Sequence, residues 1–220
     1  MSIVIDFLPS LLEGTAVTVT ILILSTILAF FFAFGAGLAR LSKIPLIKIP
    51  AVVYIEFFRG TSALVQLFWI YFVLPFFGVD ISALTAAIVA LGLNTGAYGA
   101  EVVRGAILAV PHGQYEAATA FNFSSYQRMR YIILPQAIPA MLPTFGNLLI
   151  ELLKATSLVS LITVGDITYN SIMYITNTMK ITEIFIIILL VYFAIAQVVT
   201  FIMKKVEQRV TLGLDYGGVR

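Results

Sequence analysis

Cysteine is absent from this 220-residue sequence, and histidine occurs once, as His112. The first absence excludes disulfides and thiolate nucleophiles. The second leaves no pair of imidazoles for a metal centre, and no motif elsewhere supplies partners for a Ser-His-Asp arrangement. Charged residues make up only 11% of the chain, against about 25% in soluble domains. No Lys or Arg precedes Arg40, while Asp6 and Glu13 do; the basic start of a cleavable signal peptide is missing. The phosphate-loop pattern G-x-x-x-x-G-K-S/T does not occur either, so if the protein uses ATP, another chain binds it. What remains is 60% hydrophobic and reads as an integral membrane protein.

A helical span needs roughly 20 apolar residues. Five such runs are present, at about 14–38, 60–77, 81–104, 139–162 and 184–203. The predicted fold is therefore all-α and membrane-integral, with five transmembrane helices in one domain over 1–220. Ala29, Ala33 and Gly37 recur every four residues in the first span, and Gly92, Gly96 and Ala100 do so in the third. Such small-residue stripes suit close helix packing. Residues 50–58 read as an amphipathic or interfacial lead-in to the second span. Pro135, Pro139 and Pro143 would share a helical face and lack successive N–H groups. A bent start to the fourth span is expected near Pro139 or Pro143. A moderately polar stretch, 163–183, connects it to the fifth.

Positive charge in short loops sets orientation. With five spans, Arg40, Lys43, Lys48, Arg128, Arg130, Lys204, Lys205, Arg209 and Arg220 fall on one side. Asp6, Glu13, Asp80, Asp166 and Glu183, with only Lys180, fall on the other. The N-terminus is expected outside and the C-terminus in the cytoplasm.

One polar stretch, 111–136, separates the third and fourth spans on that cytoplasmic side. Gly113 to Phe121 reads as a short helix, with Glu116, Ala117 and Ala118 good helix formers. Asn122 follows, the usual non-glycine choice for a left-handed C-terminal turn. Ser124 with Gln127 matches a capping box that opens a second helix. That helix carries Arg128 and Arg130 and is expected to stop or kink at Pro135. A helix–hinge–helix unit of this kind is a docking surface.

Six charges fall within or at the ends of spans, as Glu56/Arg59, Glu101/Arg104 and Glu151/Lys154. Each pair is spaced by three, so its members are neighbours on a helix and able to neutralise one another. Intramembrane charge otherwise faces a polar pathway. For Glu151/Lys154, midway along its span, a structural clamp and a pathway role both stay open.

Short blocks in fixed order give the chain a family resemblance. E-A-A-T-A-F-N, followed by L-P-Q, resembles the EAA loop of ABC importer permeases, which docks onto an ATPase subunit. Y-I-E-F-F-R-G-T-S-A-L-V-Q, N-T-G-A-Y-G-A-E-V-V-R-G-A-I and N-L-L-I-E-L-L-K-A-T-S-L-V-S-L-I are similar to the polar amino-acid uptake branch, of histidine, glutamine and arginine permease type. The resemblance implies a type I importer permease fold in a bacterial cytoplasmic membrane and a dimer with itself or a sister permease. It also implies an extracytoplasmic solute-binding protein and two ATPase subunits that carry ATP and Mg. The chain itself is expected to bind no cofactor and no nucleic acid, to catalyse no reaction, and to contact membrane lipid. It implies ATPase-coupling roles for Gly113, Glu116, Ala117, Ala118, Ala120, Asn122, Ser124 and Arg128, with Ala117 and Ala118 permitting close approach.

For a pathway opened alternately to each side, the expected lining is Asn94, Thr95, Tyr98 and Glu101 of the third span and Lys154, Thr156 and Ser157 of the fourth. Thr61 and Ser62 of the second join them. Glu56, Arg59, Arg104 and Glu151 are the expected structural charges. The chain departs from the family pattern at Asn122 (glycine), Ser62 (proline), Thr119 (arginine) and Ala155 (aspartate). The last removes a carboxylate, which argues against a cationic amino acid and for a zwitterionic or neutral one. R-G-T-S-A-L-V-Q with E-A-A-T-A-F-N is also similar to permeases for the compatible solute ectoine. An ATP-independent transporter or channel is a competing reading, but it gives the polar unit nothing to dock on.

Overall fold

The computed structural model describes residues 2–211, with side chains from Asp6 onward; Arg220 of the orientation count lies outside the described residues. Every regular element among them is helical: α1 (Ser2–Arg40), α2 (Pro45–Gly60), α3 (Ala63–Phe68), α4 (Ala83–Leu108), α5 (His112–Ala120), α6 (Ser125–Arg128), α7 (Leu134–Ala155), α8 (Ile167–Thr178) and α9 (Ile181–Thr211). Among the described residues, four stretches are long and apolar enough to cross a membrane: Asp6–Arg40, Ala83–Leu108, Ser125–Ile162 and Ile181–Thr211. A fifth exists only as a broken pair, Pro45–Gly60 with Ala63–Phe77, bent by 108°.

The two small-residue stripes meet along the seam between α1 and α4. A methyl group on Gly37 would lie 2.7 Å from the Ala100 carbonyl oxygen, and one on Gly96 would lie 2.9 Å from Phe32 Cβ. The backbones come this close because neither position carries a side chain, and in lipid such close packing is what drives helix association. Ser25 Oγ donates to the Ile88 carbonyl (3.3 Å) across the same seam, and Tyr54 on α2 donates to the Leu93 carbonyl (2.7 Å).

The second and fourth spans differ from the straight and bent-start helices expected. In the second, α2 ends at Gly60, Thr61 and Ser62 are extended, and α3 begins at Ala63. The helix then widens into a π-turn over Trp69–Val73 and tightens into a 3-10 turn over Leu74–Phe77. In the fourth, α6 passes through a π-turn over Met129–Ile133 into α7, which continues through Pro139 and Pro143. The second helix of the polar unit is thus the head of the span, not a separate piece that stops at Pro135. One cause serves both places, because each π-turn is followed by Leu-Pro. Leu74 N–H bonds the Trp69 carbonyl and Leu134 N–H bonds the Met129 carbonyl. A proline ring clashes with the carbonyl four residues back. Widening the preceding turn moves that carbonyl aside, and the chain stays helical.

The stretch 163–183, expected as a connection, holds α8. Asp166 caps it by accepting from the Tyr169 N–H (2.9 Å). Ile167 N–H donates to Thr18 Oγ1 (3.2 Å) and Asn170 Nδ2 to the Ser10 carbonyl (2.9 Å), so α8 is fastened to α1.

Candidate functional site

The polar unit folds as α5, a left-handed residue and α6. Asn122 has φ of 58°, and across the turn Phe123 N–H bonds the Ala118 carbonyl (3.0 Å) while Asn122 N–H bonds that of Thr119 (2.9 Å). These bonds satisfy carbonyls that a helix end leaves open. Ser124 and Gln127 form the expected capping box, with both bonds present. Side chains then lock the corner. Arg128 lies over the Tyr115 ring, 5.6 Å from its centroid, and donates to Thr119 Oγ1 (3.4 Å). Tyr115 donates to the Ile107 carbonyl of α4 (3.0 Å). Its burial pushes the phenol pKa up, with Arg128 acting against that rise.

What α5 presents outward is narrower than expected. Ala118 is fully buried against its own chain, so close approach by another protein is left to Gly113, Ala117 and Ala120, all exposed. Glu116 is exposed too, with His112 Nδ1 3.3 Å away. Phe121 and Tyr126 stand beside them, 78% and 74% exposed. The periodicity gave no reason to single out those two rings. Bare aromatic side chains around a polar helix mark a contact surface.

Only one of the three charge pairs closes on itself. Arg104 Nε and Nη2 both donate to Glu101 Oε2, at 3.0 and 2.9 Å. Glu56 pairs not with Arg59 but with Arg40, the last residue of α1. Arg40 Nη1 lies 2.9 Å from Glu56 and 2.8 Å from Glu101. It sits at ion-pair distance from both and is buried between them. Arg59 instead covers the Tyr98 ring, 5.5 Å from its centroid, and its carbonyl accepts from the Tyr98 hydroxyl (3.4 Å). Arg40, Glu56, Glu101 and Arg104 thus join three helices in one cluster. Glu151 and Lys154 do not pair: the ion pairs among the described residues do not include them, and both are exposed on α7. Thr144 and Asn147 are exposed on the preceding turns, which extends a polar face along a span that no described residue of this chain covers.

Most of the other expected lining residues are already engaged. Asn94 Nδ2 donates to the Phe58 carbonyl and to Gln66 Oε1, both at 3.0 Å. Gln66 Nε2 in turn reaches the Phe58 carbonyl (2.9 Å) and Thr61 Oγ1 (2.6 Å). These three side chains satisfy the backbone opened by the break at Gly60–Ser62, as a non-helical segment at membrane depth requires. Thr156 is buried and bonds the Leu153 carbonyl (2.7 Å), and Ser157 bonds that of Lys154 (2.8 Å). Thr95 lines an apolar cavity of about 400 Å³ between α1, α4, α7 and α9. Ser62 stays exposed. Gln66, the buried centre of the break, carries no spacing signal in the sequence.

Residues 31–212 match the family described as binding-protein-dependent transport system inner membrane component. The probable amino-acid ABC transporter permease protein y4tF of Sinorhizobium fredii is 48% identical over 212 residues, covering 94% of this chain and 89% of that one. The glutamine transport system permease protein GlnP of Escherichia coli is 36% identical over 207 residues, covering 93% and 94%. The crystal structure of an amino acid ABC transporter with histidines superposes with a TM-score of 0.87 at 36% identity, covering 93% of this chain and 96% of that one.

Proposed function

This chain belongs to the binding-protein-dependent transport system inner membrane components, as an ABC importer permease and not an enzyme, and we propose that its solute is a polar amino acid taken up as a zwitterion. The observation that carries this reading is the uncovered Glu151/Lys154 pair on α7. A carboxylate and an ammonium left open at membrane depth complement the α-ammonium and α-carboxylate of such a solute. Ala155 supplies no further carboxylate for a cationic side chain. The relatives named above are amino-acid permeases, which supports an amino acid over a compatible solute such as ectoine.

An ATPase and a substrate-binding protein are its partners. In the proposed assembly the N-terminus faces outward, two ATPase subunits carry ATP and Mg, and the same or a sister permease completes the pathway. The ATPase seats against the exposed side of α5 at Gly113, Glu116, Ala117 and Ala120, with the Asn122 turn, Ser124 and Arg128 holding the corner. The test is reconstitution of the chain with its ATPase and binding protein, followed by a screen of solutes for stimulated ATP hydrolysis. Stimulation by glutamine or histidine is expected, with none by ectoine. No stimulation by any amino acid contradicts the assignment.

A further inference from the structure

We infer that the junction of α1 and α2 binds the headgroup of an anionic phospholipid. A cavity of about 870 Å³ opens there, and the charged side chains on its wall are all cationic: Arg40, Lys43, Lys48 and Arg104. The carboxylates nearest to them are Glu56 and Glu101, and these are taken up by Arg40 and Arg104. Lys43 and Lys48 are exposed and have no carboxylate partner among the described residues. Arg40 Nη1 is buried against those two carboxylates, so Lys43 and Lys48 are the cations left open. The concavity has the charge of an anion site and no acid on its wall to oppose one.

The apolar half of the site comes from α2. Ile49 and Val53 line the same cavity. With Leu46, which is 84% exposed, they continue outward as an uncovered row at spacings of three and four. A helix with an open apolar face and lysines at its base lies in the membrane interface. Basic pockets beside spans take acidic lipid headgroups. Free phosphate would meet the cations and leave Leu46, Ile49 and Val53 in water, and so would an acidic protein surface. A phospholipid meets both, with its phosphate between Lys43 and Lys48 and an acyl chain along the row. The inference rests on the chain being membrane-embedded and does not depend on the proposed solute.

The test is native mass spectrometry of the complete detergent-purified transporter, titrated with phosphatidylglycerol or with phosphatidylcholine of the same acyl chains. Phosphatidylglycerol is expected to be retained in preference. Lys43→Gln with Lys48→Gln should weaken its retention roughly thirtyfold, from about fivefold for each lysine. Leu46→Ser with Val53→Ser should weaken it as well. Three results would overturn the inference: equal retention of the two lipids, complete displacement by glycerol phosphate alone, or loss of the ATPase subunit from the lysine variant with lipid retention unchanged. The second would assign the cavity to a free anion and the third to an acidic partner protein.

Discussion

Glu101 and Arg104 on α4 and Glu151 and Lys154 on α7 share one pattern, an acid followed three residues later by a base, and they end in opposite states. The first pair is closed and joined by Arg40 and Glu56 from two other helices. The second is open, with both side chains exposed. An intrahelical pair of this spacing contributes only about 0.2–0.5 kcal/mol, too little to hold two long side chains in one geometry. What decides is whether neighbouring helices bring further charge. At the end of α1 they do, and the result is a joint; on α7 they do not, and the charges remain available to something outside this chain.

That contrast is open to direct attack, and the largest effect belongs to the closed cluster. Glu101→Ala removes the carboxylate that Arg40 and Arg104 share in a half-buried place, leaves Arg40 with Glu56 alone, and should destabilise the detergent-solubilised protein by about 2 kcal/mol, read as thermal unfolding. An unchanged midpoint would show that the cluster is not a joint at all. On α7 the effects should separate. Lys154→Gln should change stability by less than about 0.5 kcal/mol yet lower uptake about tenfold, the loss of roughly 1.4 kcal/mol of solute pairing. Equal loss of fold and of uptake would make the open pair structural after all.

Asp166 provides a third, milder case: an acid fully buried and in no ion pair among the described residues. Burial pushes its carboxyl pKa above the ordinary value, and the hydrogen bond from the Tyr169 backbone acts against that rise. A raised folded-state pKa means that the neutral acid is favoured on folding. Its contribution to stability is therefore present at low pH and lost as pH rises from about 4 through the folded-state value. Asp166→Asn keeps the bond to the Tyr169 N–H and should flatten that pH dependence, read as thermal midpoints across the acid range. The same slope in the variant would place its origin in another group.

The capping signals and the small-residue stripes were legible in the sequence, and the long-range side-chain partnerships were not. The capping box at Ser124 and Gln127 and the left-handed Asn122 depend on neighbouring residues alone, and both are present. The stripes on α1 and α4 announced a close seam because small residues at helical spacing serve little else in lipid. The break in the second span escaped because its supports are distant: Gly60–Ser62 is held open by Gln66 and by Asn94 on another helix. Those hydrogen bonds also engage Asn94 and Thr61, two residues of the expected lining. Arg40 read as a loop cation, although its position at the end of α1 brings it between two carboxylates. Pro135 read as a stop or kink, while the π-turn ahead of it lets the helix continue, as does the one ahead of Pro75.

The central claim is that α5 passes the ATPase's work to the membrane helices, and uptake by the reconstituted transporter carrying Glu116→Lys tests it most directly. Glu116 is exposed and, among the described residues, its side chain contacts only His112, so the variant should insert and fold as the parent does. Solute uptake should fall to background while ATP hydrolysis loses its dependence on the solute. Uptake at the parent's level would contradict the account.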